Sequence, residues 1–340
     1  MAEANKQPIR VTVAADFDDA LIQQLRDVSP RLQVEKHFPD ISESVWAETE
    51  VLYTIRAFPD PKQAPRLRWI QVHYAGVDGI LNRPIVQAED IEVTSASGLH
   101  SVQIAEFCMG MMLAFMYKIP TMLKYQAQVK WPEKPHEIFR PHALRGLTLG
   151  IAGYGSIGRE LARLAQAFGM KVLATKRDLI RTTDDEGYYI PGTGDPTGDI
   201  PERLYPPEAL ATMARDCDYL VVLMPLTDKT RHVVNEEILN AMKKTAVLIN
   251  VARGAVVDEA ALISALAAQK IAGAALDVFE EEPLPTTSPL WNLENVILSP
   301  HVSGNTSQYH QKAADIFIEN LRHYLDGRPL LNRLNREHGY

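Results

Sequence analysis

The stretch LTLGIAGYGSIGRELARLAQAFGMKVLATKR, residues 147–177, leaves this chain few choices of fold. Leu147 to Ala152 is a short apolar run of the kind that forms a buried strand. Gly153, Gly155 and Gly158 follow at G-x-G-x-x-G spacing. From Ser156 the pattern turns helical: Ile157, Leu161, Leu164, Ala165 and Phe168 recur at three- and four-residue steps, and Gly169 ends the run. Lys171 to Thr175 is a second apolar strand. Strand, glycine turn, helix and strand form the setting in which this spacing reads as a dinucleotide site. Gly153 permits the tight turn, Gly155 lets a pyrophosphate approach bare backbone, and Gly158 lets the helix pack closely on the strand. The N–H groups at the helix start face the phosphates, and the helix dipole favours their charge.

The end of the second strand selects between nucleotides. NAD folds carry an acidic residue there, roughly 20 positions past the first glycine, to hold the ribose hydroxyls. Here stand Thr175, Lys176 and Arg177. A cationic pair suits the 2′-phosphate of NADP, with Arg the better fork. The expected cofactor is NADP. In the alternative the cations are solvated loop charges, Asp178 takes the ribose one step late, and the cofactor is NAD.

At 340 residues the chain is long enough for two domains with separate cores. The net charge of -8 weighs against nucleic-acid binding. No apolar run approaches the ~20 residues needed to span a bilayer. The first residues, MAEANKQPIRVTV, lack a signal-peptide core, so a cytoplasmic location is expected. Cys108 and Cys217 have no metal spacing, and their apolar neighbours point to buried, reduced thiols.

Residues 1 to 100 alternate strands (Ile9–Ala14, Val51–Ile55, Arg68–Val72, Ile91–Ser95) with helices such as Asp19–Val28, an α/β domain with a parallel sheet. The loop His73-Tyr74-Ala75-Gly76-Val77-Asp78 follows a strand end, where open sheets bind ligands. Ser101 is a candidate cap for a buried helix whose Met109–Met116 stretch reads as core. Residues 119–146, with Trp131 and four prolines, read as a surface connector. Residues 178–206 are too long and polar for an ordinary connection. They fit either a flap beside the cofactor's adenosine end or an ordered excursion used in subunit contacts. Strands at Tyr219–Met224, Ala246–Asn250, Ile271–Asp277 and Asn295–Ser299 bring the second domain to six strands with helical crossovers. A helix at 306–325 lies beyond that sheet and is expected to pack back on the first domain.

Three polar loops follow these strand ends: Asn250-Val251-Ala252-Arg253-Gly254, Asp277 to Pro283, and Ser299-Pro300-His301-Val302-Ser303-Gly304. Arg253 can hold a carboxylate or carbonyl oxygen by a two-pronged contact. His301 is a candidate acid–base group, and a carboxylate beside it would fix its ring. Taken singly, each reads as well as a surface charge or structural residue; together at one sheet edge they converge on a site.

With LTLGIAGYGSIG, PLTDKTRHVVN, VLINVARGAVVDEAAL, GAALDVFEEEPLP and ENVILSPHVSGNT in this order, nearly the whole chain resembles the D-isomer-specific 2-hydroxyacid dehydrogenase family, its glyoxylate/hydroxypyruvate reductases in particular. The resemblance implies two Rossmann-like or flavodoxin-like α/β domains with doubly wound parallel sheets and an active site in the interdomain cleft. The substrate domain would be residues 1–100 plus 305–340, the dinucleotide domain 101–304, and the segments near 100–120 and 302–310 the hinges. By the same resemblance Arg253 binds substrate, Glu282 is the dyad carboxylate and His301 the acid–base histidine. Ser156 and Ile157 meet the pyrophosphate; Asp277 and the backbone of Val251 and Ala252 lie around the nicotinamide; Pro225 and Gly304 are further cofactor contacts. Ala75 and Gly76 hold the substrate carboxylate. No metal is implied, and a homodimer is. His100 departs from the asparagine common there, and the insertion after Asp178 is longer than usual. The activity implied is reduction of a small 2-oxo acid to its D-2-hydroxy acid. The alternatives are an NAD-dependent phosphoglycerate dehydrogenase and a dinucleotide-sensing regulator on the same fold.

Overall fold

The computed structural model describes residues 7–183, 187–337 and 339, and its named strands pair only in parallel. Parallel strands need covering helices on both faces, which the alternating pattern supplies. The chain divides into two units. The first holds residues 7–99, 187–189 and 306–339; the second holds most of the remainder, up to residue 305.

In the first unit β1 (Ile9–Ala14), β2 (Leu32–Lys36), β3 (Val51–Thr54), β4 (Trp69–Val72) and β5 (Glu92–Thr94) take the order β2-β1-β3-β4-β5. Asp18 caps the helix Asp19–Arg26 by accepting the Leu21 N–H at 2.8 Å. The helix Tyr309–Asp326 ends at Gly327, whose φ of 67° needs no Cβ. Its apolar face seats Phe317 between Tyr53 and Trp69, with ring centroids 4.9 and 5.2 Å away. On the same helix, buried Asn320 donates to Gln71 Oε1 (3.1 Å), which also accepts Thr94 Oγ1 (2.7 Å), so this polar cluster is satisfied without water.

In the second unit β6 (Thr148–Ala152), β7 (Lys171–Thr175), β8 (Arg203–Tyr205), β9 (Tyr219–Val222), β10 (Val247–Asn250), β11 (Gly273–Leu276) and β12 (Val296–Leu298) run in the order β12-β11-β10-β9-β6-β7-β8. The order reverses between β6 and β9, and that switch point opens the crevice in which such sheets bind ligands. One core cluster covers each face of this sheet, and Met109 and Met112 belong to one of them. Cys108 and Cys217 are buried free thiols, and burial pushes Cys217 up to about 12.

The structure corrects the sequence reading in several places. β2 was absent from it, because LQVEK buries only its first and third residues and reads as an exposed edge. β8 makes the second sheet seven-stranded rather than six-stranded; Arg203–Tyr205 is too short to stand out. Residues 119–146 are not simply a connector: Ile119–Ala127 is a helix, with Pro120 in its first turn, where proline is tolerated. The cap position of the helix Ser101–Met116 is held by His100, and Ser101 is its first residue.

Phe317→Ala should lower the unfolding free energy by ~3–5 kcal/mol through cavity creation, read as a shift in denaturant midpoint.

Candidate active site

The glycine turn is built as the spacing requires. Gly153 has φ 113°, and a Cβ there would lie 2.9 Å from the Leu223 carbonyl carbon. A Cβ on Gly158 would lie 2.6 Å from the Gly153 oxygen. Gly155 differs: its Cβ would meet no protein atom within 4 Å. Its freedom from a side chain therefore serves space outside the protein rather than packing. No side chain caps the helix Ser156–Ala167, so the amides of Ser156 and Ile157 lead its positive end. An uncapped helix start beside bare backbone fits a pyrophosphate.

At the end of β7, the Gly153 N–H donates to Thr175 Oγ1 (3.1 Å) and the Tyr154 N–H to the Thr175 carbonyl (3.0 Å). Lys176 and Arg177 follow directly. Asp178 turns one oxygen to its own loop, accepting the Ile180 and Arg181 amides at 2.9 and 3.0 Å. Those backbone donors, Arg181 first, hold its carboxyl below the usual range.

The three loops after β10, β11 and β12 come together. His301 Nδ1 lies 2.8 Å from Glu282 Oε2, and Glu282 Oε1 accepts the Phe279 N–H at 3.0 Å. His301 has φ 54°, an uncommon conformation for a residue with a Cβ. The loop is held on both sides of it by Asp277, which is fully buried. Asp277 Oδ1 accepts Ser299 Oγ (2.6 Å) and the Val302 N–H (2.9 Å); Oδ2 accepts the Ser303 N–H (2.9 Å). Arg253 is half-buried and donates to the Ala252 carbonyl at 2.8 Å. Asn250 fixes that loop, accepting the Ala252 N–H at 3.2 Å and donating to the Arg253 carbonyl at 3.1 Å. Gly254 lets it approach the next loop: a Cβ there would fall 1.8 Å from the Phe279 carbonyl carbon. Val251 is buried, and Pro225 accepts the Thr230 hydroxyl at 2.6 Å in the turn after β9. His100 Nδ1 lies 3.0 Å from the Gly304 carbonyl, so the residue that departs from the common asparagine holds the last loop.

In the first unit, Ala75 and Gly76 follow the end of β4. His73, two positions before Ala75, is fixed on its ring by Tyr53 (2.5 Å) and on its carbonyl by the Tyr309 hydroxyl (3.3 Å).

Gly254 and the anchoring role of Asp277 escaped the sequence reading. A glycine after Arg253 was the one available signal for the first; nothing in the sequence signalled the second.

The model of the D-isomer specific 2-hydroxyacid dehydrogenase NAD binding domain matches residues 109–303. The glyoxylate reductase of Thermofilum pendens is 37% identical over 276 residues, covering 81% of this chain and 76% of that protein. The D-3-phosphoglycerate dehydrogenase of Methanocaldococcus jannaschii is 34% identical over 278 residues, 81% of this chain but 48% of that protein. Among solved structures, the D-isomer specific 2-hydroxyacid dehydrogenase of Xanthobacter autotrophicus Py2, in complex with NADPH and MES, superposes with a TM-score of 0.79 at 28% identity. That match covers 98% of this chain and 100% of the other.

The two kinds of glycine predict opposite phenotypes. Gly155→Ala should fold normally and lose roughly ten-fold or more in dinucleotide affinity, about 1.4 kcal/mol, by titration. Gly254→Ala should instead lose stability by more than ~3 kcal/mol, read by thermal unfolding.

Proposed function

The chain belongs to the D-isomer-specific 2-hydroxyacid dehydrogenase family and is an NAD(P)-dependent oxidoreductase interconverting 2-oxo and 2-hydroxy acids; from this premise we propose that it is an NADPH-dependent reductase of glyoxylate, hydroxypyruvate or a similarly small 2-oxo acid, forming the D-2-hydroxy acid. The His301–Glu282 pair at 2.8 Å carries the reading. A sensor needs a dinucleotide turn but has no use for a histidine aligned by a carboxylate. The small oxo acid is supported by the glyoxylate reductases among the relatives. NADPH is supported by Lys176 and Arg177, by the loop-bound oxygen of Asp178, and by the NADPH in the related Xanthobacter structure.

In this reading residues 1–100 plus 305–340 form the substrate domain and 101–304 the dinucleotide domain. The Ala75 and Gly76 amides hold the substrate carboxylate, and Arg253 polarises the keto oxygen. Gly155 and the Ser156 and Ile157 amides take the pyrophosphate, on a turn shaped by Gly153 and Gly158; Pro225, Val251, Ala252 and Gly304 line the path toward the nicotinamide, and the buried Asp277 holds the loop beside it. The bound dihydronicotinamide supplies the hydride that C2 receives. Glu282 occupies His301 Nδ1, which leaves Nε2 to give its proton to the oxygen as the C=O bond becomes C–OH. For the reverse oxidation Nε2 takes the proton back. A cytoplasmic homodimer belongs to the same reading, and the exposed apolar residues Leu123, Val129 and Trp131 support the dimer. Sedimentation at micromolar concentration checks it.

The test is initial-rate reduction of glyoxylate, hydroxypyruvate and 3-phosphohydroxypyruvate with NADPH and NADH. NADPH and the two unphosphorylated acids should lead. Lys176→Ala/Arg177→Ala should cost NADPH at least ~10-fold in kcat/KM, about 1.4 kcal/mol, and spare NADH. His301→Ala should lose ~10²–10⁴-fold in kcat yet bind NADPH as before. Unchanged turnover in that variant would remove His301 from the mechanism.

A further inference from the structure

Segment 190–200 lies on the return from β7 to β8. A buried polar cluster fixes this segment to the glycine turn, and a plain connection between β7 and β8 would have no need of it. Arg159, the residue after Gly158, has no exposed surface. Its guanidinium donates to the carbonyls of Asp195 and Thr182 and stands 5.0 Å from the Tyr154 ring centroid. Among the described residues its hydrogen-bond partners are these two neutral carbonyls, and Nε has none. Tyr154, between Gly153 and Gly155, donates its hydroxyl to Asp195 Oδ2 at 2.6 Å. The Asp195 carboxylate also accepts the amides of Gly198, Asp199 and Ile200 at 3.1, 3.2 and 3.1 Å. Glu160, buried on the same helix, accepts the Gly194 N–H at 2.6 Å and a two-pronged contact from Arg163 at 2.8 and 2.6 Å. A Cβ on Gly198 would lie 2.7 Å from the Thr182 carbonyl, so the outgoing and returning limbs meet there.

Burying an arginine and two carboxylates costs several kcal/mol unless their partners are fixed, so this is a rigid arrangement. Its outgoing limb is the continuation of Lys176 and Arg177, at the sheet edge where the adenosine ribose of a dinucleotide is held. We infer that Tyr154, Arg159 and Asp195 are positioning residues for the cofactor. They lock segment 190–200 against the glycine turn, and this presets the turn and the strand end beside it for the adenosine diphosphate half of the dinucleotide. The inference rests on the reading of this turn as the dinucleotide site.

The test uses the full-length enzyme and Tyr154→Phe and Asp195→Asn, which remove one hydroxyl and one charge with little change of shape. Titration with ADP, the half common to NADH and NADPH, separates the clamp from the choice between the two cofactors. Both variants should bind ADP and NADPH roughly ten-fold more weakly. Both should keep kcat and the KM for glyoxylate at saturating NADPH, a split that a general loss of structure would not produce. Asp195→Glu, which keeps the carboxylate, should recover part of the loss. Wild-type affinity for ADP in both variants, whatever the proteolysis at 190–200, would overturn the positioning role and leave the dinucleotide reading intact. Wild-type enzyme binding neither ADP nor NADPH would overturn both.

Discussion

The carboxylate of Asp277 is the constraint on which the site depends. A fully buried charge survives only if its lone pairs are occupied, and this one accepts Ser299 Oγ and the amides of Val302 and Ser303. Those donors flank His301 on both sides. They hold the loop after β12 against the end of β11 and keep His301 in its left-handed conformation, which costs ~1–3 kcal/mol and needs such a frame. Glu282, on the loop Asp277 itself begins, then lies beside the imidazole. Bare backbone at Gly254 brings the Arg253 loop against the same segment. Three loops from three strands are thus fixed by one anion and one missing methyl.

The two ends of the dinucleotide edge are held by different means. Near the His301 loop the chain uses backbone amides on a buried carboxylate. Near the glycine turn it uses a buried guanidinium on backbone carbonyls. Both hold loops through main-chain atoms, so neighbouring side chains can vary without moving the frame.

The parts of this structure that repeat a physical period were legible in the sequence. The strand–turn–helix–strand unit at 147–177 and the parallel second sheet follow from apolar runs and glycine spacing, whereas the choice of Glu282 as the partner of His301 came from the family resemblance, the residues alone offering three adjacent glutamates. What was missed lacks a period. β2 and β8 are short edge strands with half their side chains in water. Asp195 looks like any loop aspartate. Arg159, on a helix with a polar face, reads as a surface charge; its complete burial depends on a segment more than 30 positions away that folds over it. His100 read as a departure of unknown effect, because its contact with the Gly304 carbonyl spans 204 positions.

The seat of Phe317 has a consequence for the order in which the protein matures on the ribosome. β1 to β5 emerge first, yet the apolar surface over Tyr53 and Trp69 is closed by Ala314, Phe317 and Leu321, made after the whole second sheet. The second unit is continuous enough to collapse as soon as β12 is out, while the earlier-made strands stay partly open on one face. The core of the second unit is therefore complete in sequence before that of the first. Until Tyr309–Asp326 is made, the face of this sheet that bears Tyr53 and Trp69 is covered only in part, by Phe17 and the helix Asp19–Arg26.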